Sequence, residues 1–258
     1  MFCYIKMYNK TFPVYCICLP ERKDNANLFF KNLDIQPTYT KIYLKDQLDK
    51  EDLIKNNIIS PDYKFDNKKG VIACALSHLN ALIEFKKSNS RFCLIFEDDN
   101  MIPYKKNVKN IHSSLDDILK LTNWNVVNLS PCWAKCIVQK SSGEHKNLKY
   151  PMNSVCANAY AITQEGATEY INVIFPLTRQ NRASDLTMRK ISKSFDYRPR
   201  LFKQNRLEHY TTLGNEDVTV ECTSHLIFEK KYQKYIYFGI LLLFLLIIII
   251  KLLIFRKK

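Results

Sequence analysis

No C-x-x-C pair occurs in this 258-residue chain, which removes the usual signatures of zinc ribbons and dithiol redox centres. The nine cysteines (3, 16, 18, 74, 93, 132, 136, 156 and 222) stand singly, and their number is odd. Several sit in apolar surroundings, so they read as buried reduced thiols and not as a disulfide framework. Cys132, Cys136 and His145 could offer three zinc ligands, but the second pair of a structural zinc site is missing. Internal repeats are absent, and so is low-complexity sequence outside the tail. A dense basic stripe is absent too; the scattered part of the net charge of +14 suits an anionic small molecule as well as nucleic acid and alone decides nothing, and no nucleic-acid partner is the expectation. No signal peptide is read at the start, where Lys6 and Lys10 interrupt any apolar core.

After Glu229 there is no acid, only seven Lys or Arg. Between them lies an apolar run over residues 235–255, broken once by Lys251. Roughly 20 apolar residues can span a bilayer. Lys251 is close enough to one end to reach the interface, and Tyr235 and Tyr237 sit where interfacial aromatics belong. The expectation is a domain over residues 1–228 and a juxtamembrane segment and anchor over 229–258. Such a single-pass C-terminal anchor places the domain on the cytosolic side. The flanking bases suit anionic headgroups. Asn9-Lys10-Thr11 and Asn128-Leu129-Ser130 match glycosylation acceptors, which matters only for a lumenal domain.

Within residues 1–228 (32 bases against 25 acids through residue 229) the organising stretch is 92–100, FCLIFEDDN. Its apolar run has the length and composition of a buried strand. It ends in Glu97, Asp98 and Asp99, which repel one another unless a cation or a proton intervenes. The carboxyl edge of a strand is also where open α/β sheets hold ligands. The alternative is a solvated acidic turn.

Upstream, residues 14–19 read as a first strand. A polar turn follows, and Asp24 or Asn25 can cap a helix over 26–33. A strand, a basic loop with Arg22 and a helix in succession suit phosphate, or are simply an exposed turn. Residues 38–44 read as a strand and 45–57 as a polar helix. Gly70 opens a helix over 71–87, with apolar residues at helical spacing and Ser77-His78 inside it. A helix that delivers the chain into the central strand points to βαβ architecture. Downstream, 105–121 has a helical pattern and 124–129 reads as a strand. Residues 130–151 read as a long loop and 155–163 as a small-residue strand. Helices are expected over 166–175 and 186–192, and a last strand over 198–204.

Together these stretches resemble glycosyltransferase family 25. The carrying residues are Val14-Tyr15-Cys16-Ile17-Cys18-Leu19 with Arg22, Gly70-x-x-Ala73-Cys74-x-Leu76-Ser77-His78, and Leu94-Ile95-Phe96-Glu97-Asp98-Asp99. Ala159-Tyr160-Ala161-Ile162 with Gly166-Ala167, then Asp185, then Pro199-x-Leu201-Phe202-x-Gln204 complete the series. The resemblance runs over about residues 13–215. It departs where Asn25 stands for a second Arg, Ala73 for a glycine, and His209-Tyr210-Thr211-Thr212 for a Ser-rich stretch.

The resemblance implies an α/β, GT-A-like nucleotide-diphospho-sugar sheet between helices. It also implies a hexosyltransferase that moves galactose or glucose from a UDP-sugar to a glycan, glycolipid or protein hydroxyl, with inversion. Acids holding Mn²⁺ or Mg²⁺ against a diphosphate would suit that chemistry. Asp99 is the first choice as ligand, and strand alternation puts Glu97 on its side and Asp98 elsewhere, towards ribose or a supporting side chain. If the strand has already ended, Asp98 is the ligand instead. His209 is a third candidate ligand. Arg22, Ser77, His78 and Asp98 would serve the nucleotide. Asp185 is either the base for the acceptor hydroxyl or a helix cap. Two other classes stay open: a metal-dependent phosphoesterase or nuclease, and a non-catalytic membrane-anchored binding module.

Overall fold

The computed structural model describes residues 4–7, 10–103, 107–133, 140–143, 145–151, 154–178 and 184–205. The elements begin with β1 (Tyr4–Met7), β2 (Lys10–Ile17), α1 (Lys23–Asn32), β3 (Thr38–Tyr39), α2 (Lys50–Lys55) and α3 (Lys69–Lys86). Next come β4 (Phe92–Glu97), β5 (Asn100–Met101), α4 (Val108–Lys120), β6 (Val126–Asn128), β7 (Cys132–Trp133), β8 (Leu148–Lys149) and β9 (Ser154–Val155). Then follow β10 (Ala159–Thr163), α5 (Gln164–Ile174), α6 (Ser184–Met188), β11 (Ser194–Tyr197) and β12 (Lys203–Gln204).

Phe92 to Phe96 is apolar without interruption because β4 is covered on both faces. Along β4 the side chains alternate between two cores. Phe92, Leu94 and Phe96 pack with Phe29 and Phe30 of α1 and Ile111, Leu115 and Ile118 of α4. Cys93 and Ile95 pack with Ile72 and Leu76 of α3 and with Tyr170 and Ile174 of α5. The result is a mixed sheet between two helical layers, in the order β1-β2-β4-β10-β6-β11-β8, with β3 beside β2. β2 lies parallel to β4, and β10 runs antiparallel to it. The second neighbour is therefore not the all-parallel arrangement that a simple βαβ reading suggests.

The periodic helices match their sequence signals. α3 starts two residues early, α4 is capped by Asn107, whose Oδ1 accepts from Asn110 N at 2.8 Å, and Thr163 caps α5. Gly166, in the first turn of α5, leaves no room for a Cβ, which would collide with the Asn125 carbonyl oxygen.

Other expectations need correction. Neither Asp24 nor Asn25 caps α1; a 3-10 turn at Pro20–Arg22 runs directly into the helix, and Arg22 N already donates to Leu19 O at 3.0 Å. The 38–44 strand shortens to Thr38–Tyr39 because only two residues find register with Tyr15 and Cys16. The polar helix shrinks to Lys50–Lys55 behind its Asp49 cap. The last long strand lies earlier, at Ser194–Tyr197, and only Lys203–Gln204 of the expected stretch is strand. Pro199 has no N–H to give a ladder.

Two cysteines also correct the reading of uniformly reduced thiols. β7 pairs with β9 and brings Cys132 to Cys156, with Cα atoms 5.6 Å apart, in a disulfide. Closing a loop across a separation of 24 residues contributes about 3 kcal/mol by restricting the unfolded chain. This also removes Cys132 from any zinc set, and His145 instead stacks on Tyr197. Cys136 lies outside the described residues. Asn128 is no glycosylation acceptor in this fold: it is 7% exposed, and its Nδ2 donates to Cys156 O at 2.8 Å. Among the described residues no helix is long and apolar enough to cross a membrane; the expected span over 235–255 lies outside them, as does Asn9.

Candidate active site

A cavity of 440 Å³ opens over the carboxyl ends of β2 and β4. Two parallel strands that end side by side leave a crevice, and the loops that follow them wall it. Arg22 comes from the loop after β2, Ser77 from α3, Asp185 from α6, and Glu97, Asp98 and Asp99 from the end of β4; all six line it. His78 lies behind the wall, fully buried and bonded to Glu97. His209 lies outside the described residues.

β4 ends at Glu97, so strand alternation does not extend to the two aspartates. They part company in the turn. Asp98 faces the first loop, where its Oδ2 accepts from Leu19 N at 2.7 Å and its Oδ1 pairs with Arg22 Nη1 at 3.2 Å. Burial pushes the Asp98 carboxyl up, against the opposing pull of the Leu19 N–H and the Arg22 charge. Asp98 therefore ties two cavity loops together, and Arg22 stands on a carboxylate. Their side chains are 7% and 17% exposed. Removing one partner of such a buried pair costs about 3 kcal/mol. Arg22→Ala is expected to lose that much in urea unfolding at neutral pH; a loss below about 0.5 kcal/mol would reduce the pair to a surface contact.

Asp99 is turned the other way and is 8% exposed. Its Oδ2 accepts from Gln204 Nε2 at 2.6 Å, while its Oδ1 is buried with no hydrogen-bond partner among the described residues. Burial first, and then the charge of Glu97, push its carboxyl to about 7. A buried carboxylate oxygen with no donor is costly. A hard cation meets that need, because Mg²⁺ and Mn²⁺ prefer oxygen ligands. The donor set thus fits a divalent ion at Asp99, with Glu97 and Asp98 lining the same cavity.

Ser77 does structural work at the rim. Its Oγ donates to Ala73 O at 2.8 Å and accepts from Tyr43 N at 3.0 Å. That bond holds the segment carrying Ile42, Tyr43 and Leu44 in the cavity wall. Asp185 accepts from Cys156 N at 3.1 Å and from Leu186 N at 2.7 Å. It is thereby held against the disulfide strand, still facing the cavity.

Several contributors escaped sequence reasoning. Asn100 and Asn158 lock the acidic turn from below. Asn100 Nδ2 donates to Glu97 O at 2.8 Å and to Asn158 O at 2.6 Å, and Asn158 Nδ2 returns to Asn100 Oδ1 at 2.7 Å. Glu97 N also donates to Asn158 O at 2.7 Å. Asn100 directly follows the acids, which is a weak signal; Asn158 gives none. Gln204 and Tyr160 stood within the matched motifs without an assigned role.

Comparison with known proteins bears on this cavity. A search of the curated proteins gives no match. Among solved structures the inositol-1-phosphate CTP transferase from T. maritima aligns at 11% identity and a TM-score of 0.34, over 74% of this chain and 68% of that chain. The model of glycosyltransferase family 25 (LPS biosynthesis protein) matches residues 19–188. That span starts in the loop after β2, ends with α6, and takes in Arg22, Ser77, His78, the three acids and Asp185. A match over more than half of the chain, with those residues gathered around one crevice, makes it a member of glycosyltransferase family 25, and so a glycosyltransferase.

Proposed function

We propose that the cavity binds a UDP-hexose with a divalent ion, Mn²⁺ or Mg²⁺, and transfers galactose or glucose to an acceptor hydroxyl with inversion. The observation that carries this is the buried Asp99 Oδ1, without a hydrogen-bond partner among the described residues, in a crevice lined by two further acids. The αβα layering around β2 and β4 supports a GT-A-like nucleotide-sugar sheet. Asp99 would hold the ion, with Glu97 beside it and His209 as a third candidate ligand. When bound, the ion would offset the charge that develops on the leaving diphosphate. Asp98 holds Leu19 and Arg22 in place, so the first loop keeps its shape around the nucleotide. The Ser77 bond to Tyr43 fixes the opposite wall. Asp185 is the base: two backbone N–H groups orient its carboxylate, and it takes the proton of the acceptor hydroxyl.

The acceptor is a glycan, glycolipid or protein. An anchor over residues 235–255 would hold the site at a membrane surface, within reach of lipid-linked acceptors. The sequence reading faced the domain to the cytosol. Disulfides persist in oxidising compartments, so the Cys132–Cys156 bond favours the other side. The test is a panel of UDP-sugars with Mn²⁺, scored by UDP release. One UDP-hexose is expected to turn over, and Asp185→Asn to lower its kcat by about 10²-fold or more. Absence of release from every donor would sink the reading, and wild-type kcat in Asp185→Asn would remove the base.

A further inference from the structure

Cys74 and His78 are one turn apart on α3, and β4 delivers Glu97 to the same place. One ligand atom from each of the three lies within 4.8 Å of the other two. Cys74 and Glu97 line the cavity, while His78 is completely buried behind them. The imidazole is fixed from the rear: Nδ1 lies 3.0 Å from the Tyr160 hydroxyl, and the two rings stack at 5.7 Å. Its Nε2 faces Glu97 Oε1 at 3.0 Å.

We propose that Cys74, His78 and Glu97 form a binding site for a thiolate-preferring divalent ion of the zinc class. A thiolate and an imidazole select against Mg²⁺ and Mn²⁺, which the oxygen-only chemistry of Asp99 favours. Glu97 is common to both sets, but the thiolate site stands on its own geometry and does not rest on the reading of Asp99. Three protein ligands with the fourth position facing a cavity is the pattern of an open zinc site. The Tyr160 hydroxyl supplies the outer contact that ligating histidines make. With metal–ligand bonds of about 2.0–2.3 Å, tetrahedral neighbours lie roughly 3.3–3.8 Å apart. Side-chain shifts of about an ångström close the site from its present spread.

The proton balance follows from the same contacts. Cys74 gives up its thiol proton to solvent as sulfur takes the metal. Nε2 takes the metal with the ring proton on Nδ1, where the Tyr160 oxygen 3.0 Å away accepts it. One proton is released per ion bound.

Anaerobic titration of the full chain with Co²⁺, a spectroscopic substitute for Zn²⁺, tests this directly. A near-ultraviolet thiolate-to-cobalt band is expected to saturate at one equivalent, bleach with Zn²⁺ and ignore Mg²⁺. Cys74→Ser should abolish the band and weaken Zn²⁺ binding by more than about 10-fold. Asp99→Asn should leave the band intact, so failure of the Asp99 reading is distinguishable from failure of this one. No band in the wild type, or a band that survives Cys74→Ser, overturns the proposal and leaves His78 as a hydrogen-bonded support for Glu97.

Discussion

Asp99→Asn is expected to abolish donor turnover, by about 10²-fold or more in kcat, and at the same time to stabilise the cation-free protein at pH 8. The first effect follows if Asp99 holds the charge that offsets the leaving diphosphate, since losing one such contact typically costs about 10²–10³-fold. The second follows from burial. In the unfolded chain the Asp99 carboxyl titrates near its ordinary value of 3.8; in the fold it is pushed to about 7. A folded value above the unfolded one means that the folded state binds the extra proton. Its contribution is fully present below about pH 4 and is lost as pH rises through about 7. Without a cation, the wild type should therefore weaken relative to Asp99→Asn across that window, by an amount on the order of a few kcal/mol. Asparagine keeps an acceptor for Gln204 and removes the charge. Mn²⁺ should restore the wild type and leave the variant unmoved. Thermal unfolding from pH 4 to 8, with chelator and with Mn²⁺, reads all of this. Identical curves for the two proteins, or full turnover in the variant, would rule out the role given to this carboxylate.

Asn158→Ala should be the most damaging neutral substitution around the acidic turn. The side-chain amide donates to Asn100 Oδ1 at 2.7 Å and to Ser130 Oγ at 2.9 Å, in fully buried surroundings. Truncation leaves Asn100 Oδ1 buried without that donor and opens a small void. Each stranded polar group costs about 1–3 kcal/mol, so a total of roughly 3 kcal/mol is expected. Asn100 in turn holds the Glu97 carbonyl, so the turn that places Asp98 and Asp99 loosens with it. The double variant with Asn100→Ala should cost less than the sum of the singles, by about 1 kcal/mol or more, because both remove one shared bond. Strict additivity in urea unfolding would show that the two asparagines act independently and that the turn is held by backbone alone.

The elements legible from sequence are those whose signal lies within a few residues. The β4 run is apolar at every position because both faces are covered, and that composition is visible without knowing what covers them. α3 announces itself because burial recurs at its own helical period. The short β3 was overread because a strand's length depends on its partner, and β2 offers only two residues of register there. The disulfide was missed for a similar reason. Cys132 and Cys156 are 24 residues apart without a spacing signature, and the β7–β9 pairing alone makes them neighbours.

The site divides in the same way. Three acids at the end of a buried strand, a helix with Ser77-His78 before it and a basic loop after another strand are legible in the residues alone. These are matters of chain geometry between near neighbours, which periodicity and composition record. The different surroundings of the acids come from long-range contacts. Asp98 meets Leu19 across 79 residues and Asp99 meets Gln204 across 105. Adjacent carboxylates acquired opposite surroundings because β4 stops at Glu97 and the turn sends them to different walls. Which wall holds a donor and which leaves an oxygen bare is fixed by packing between distant segments, and no local pattern carries that information.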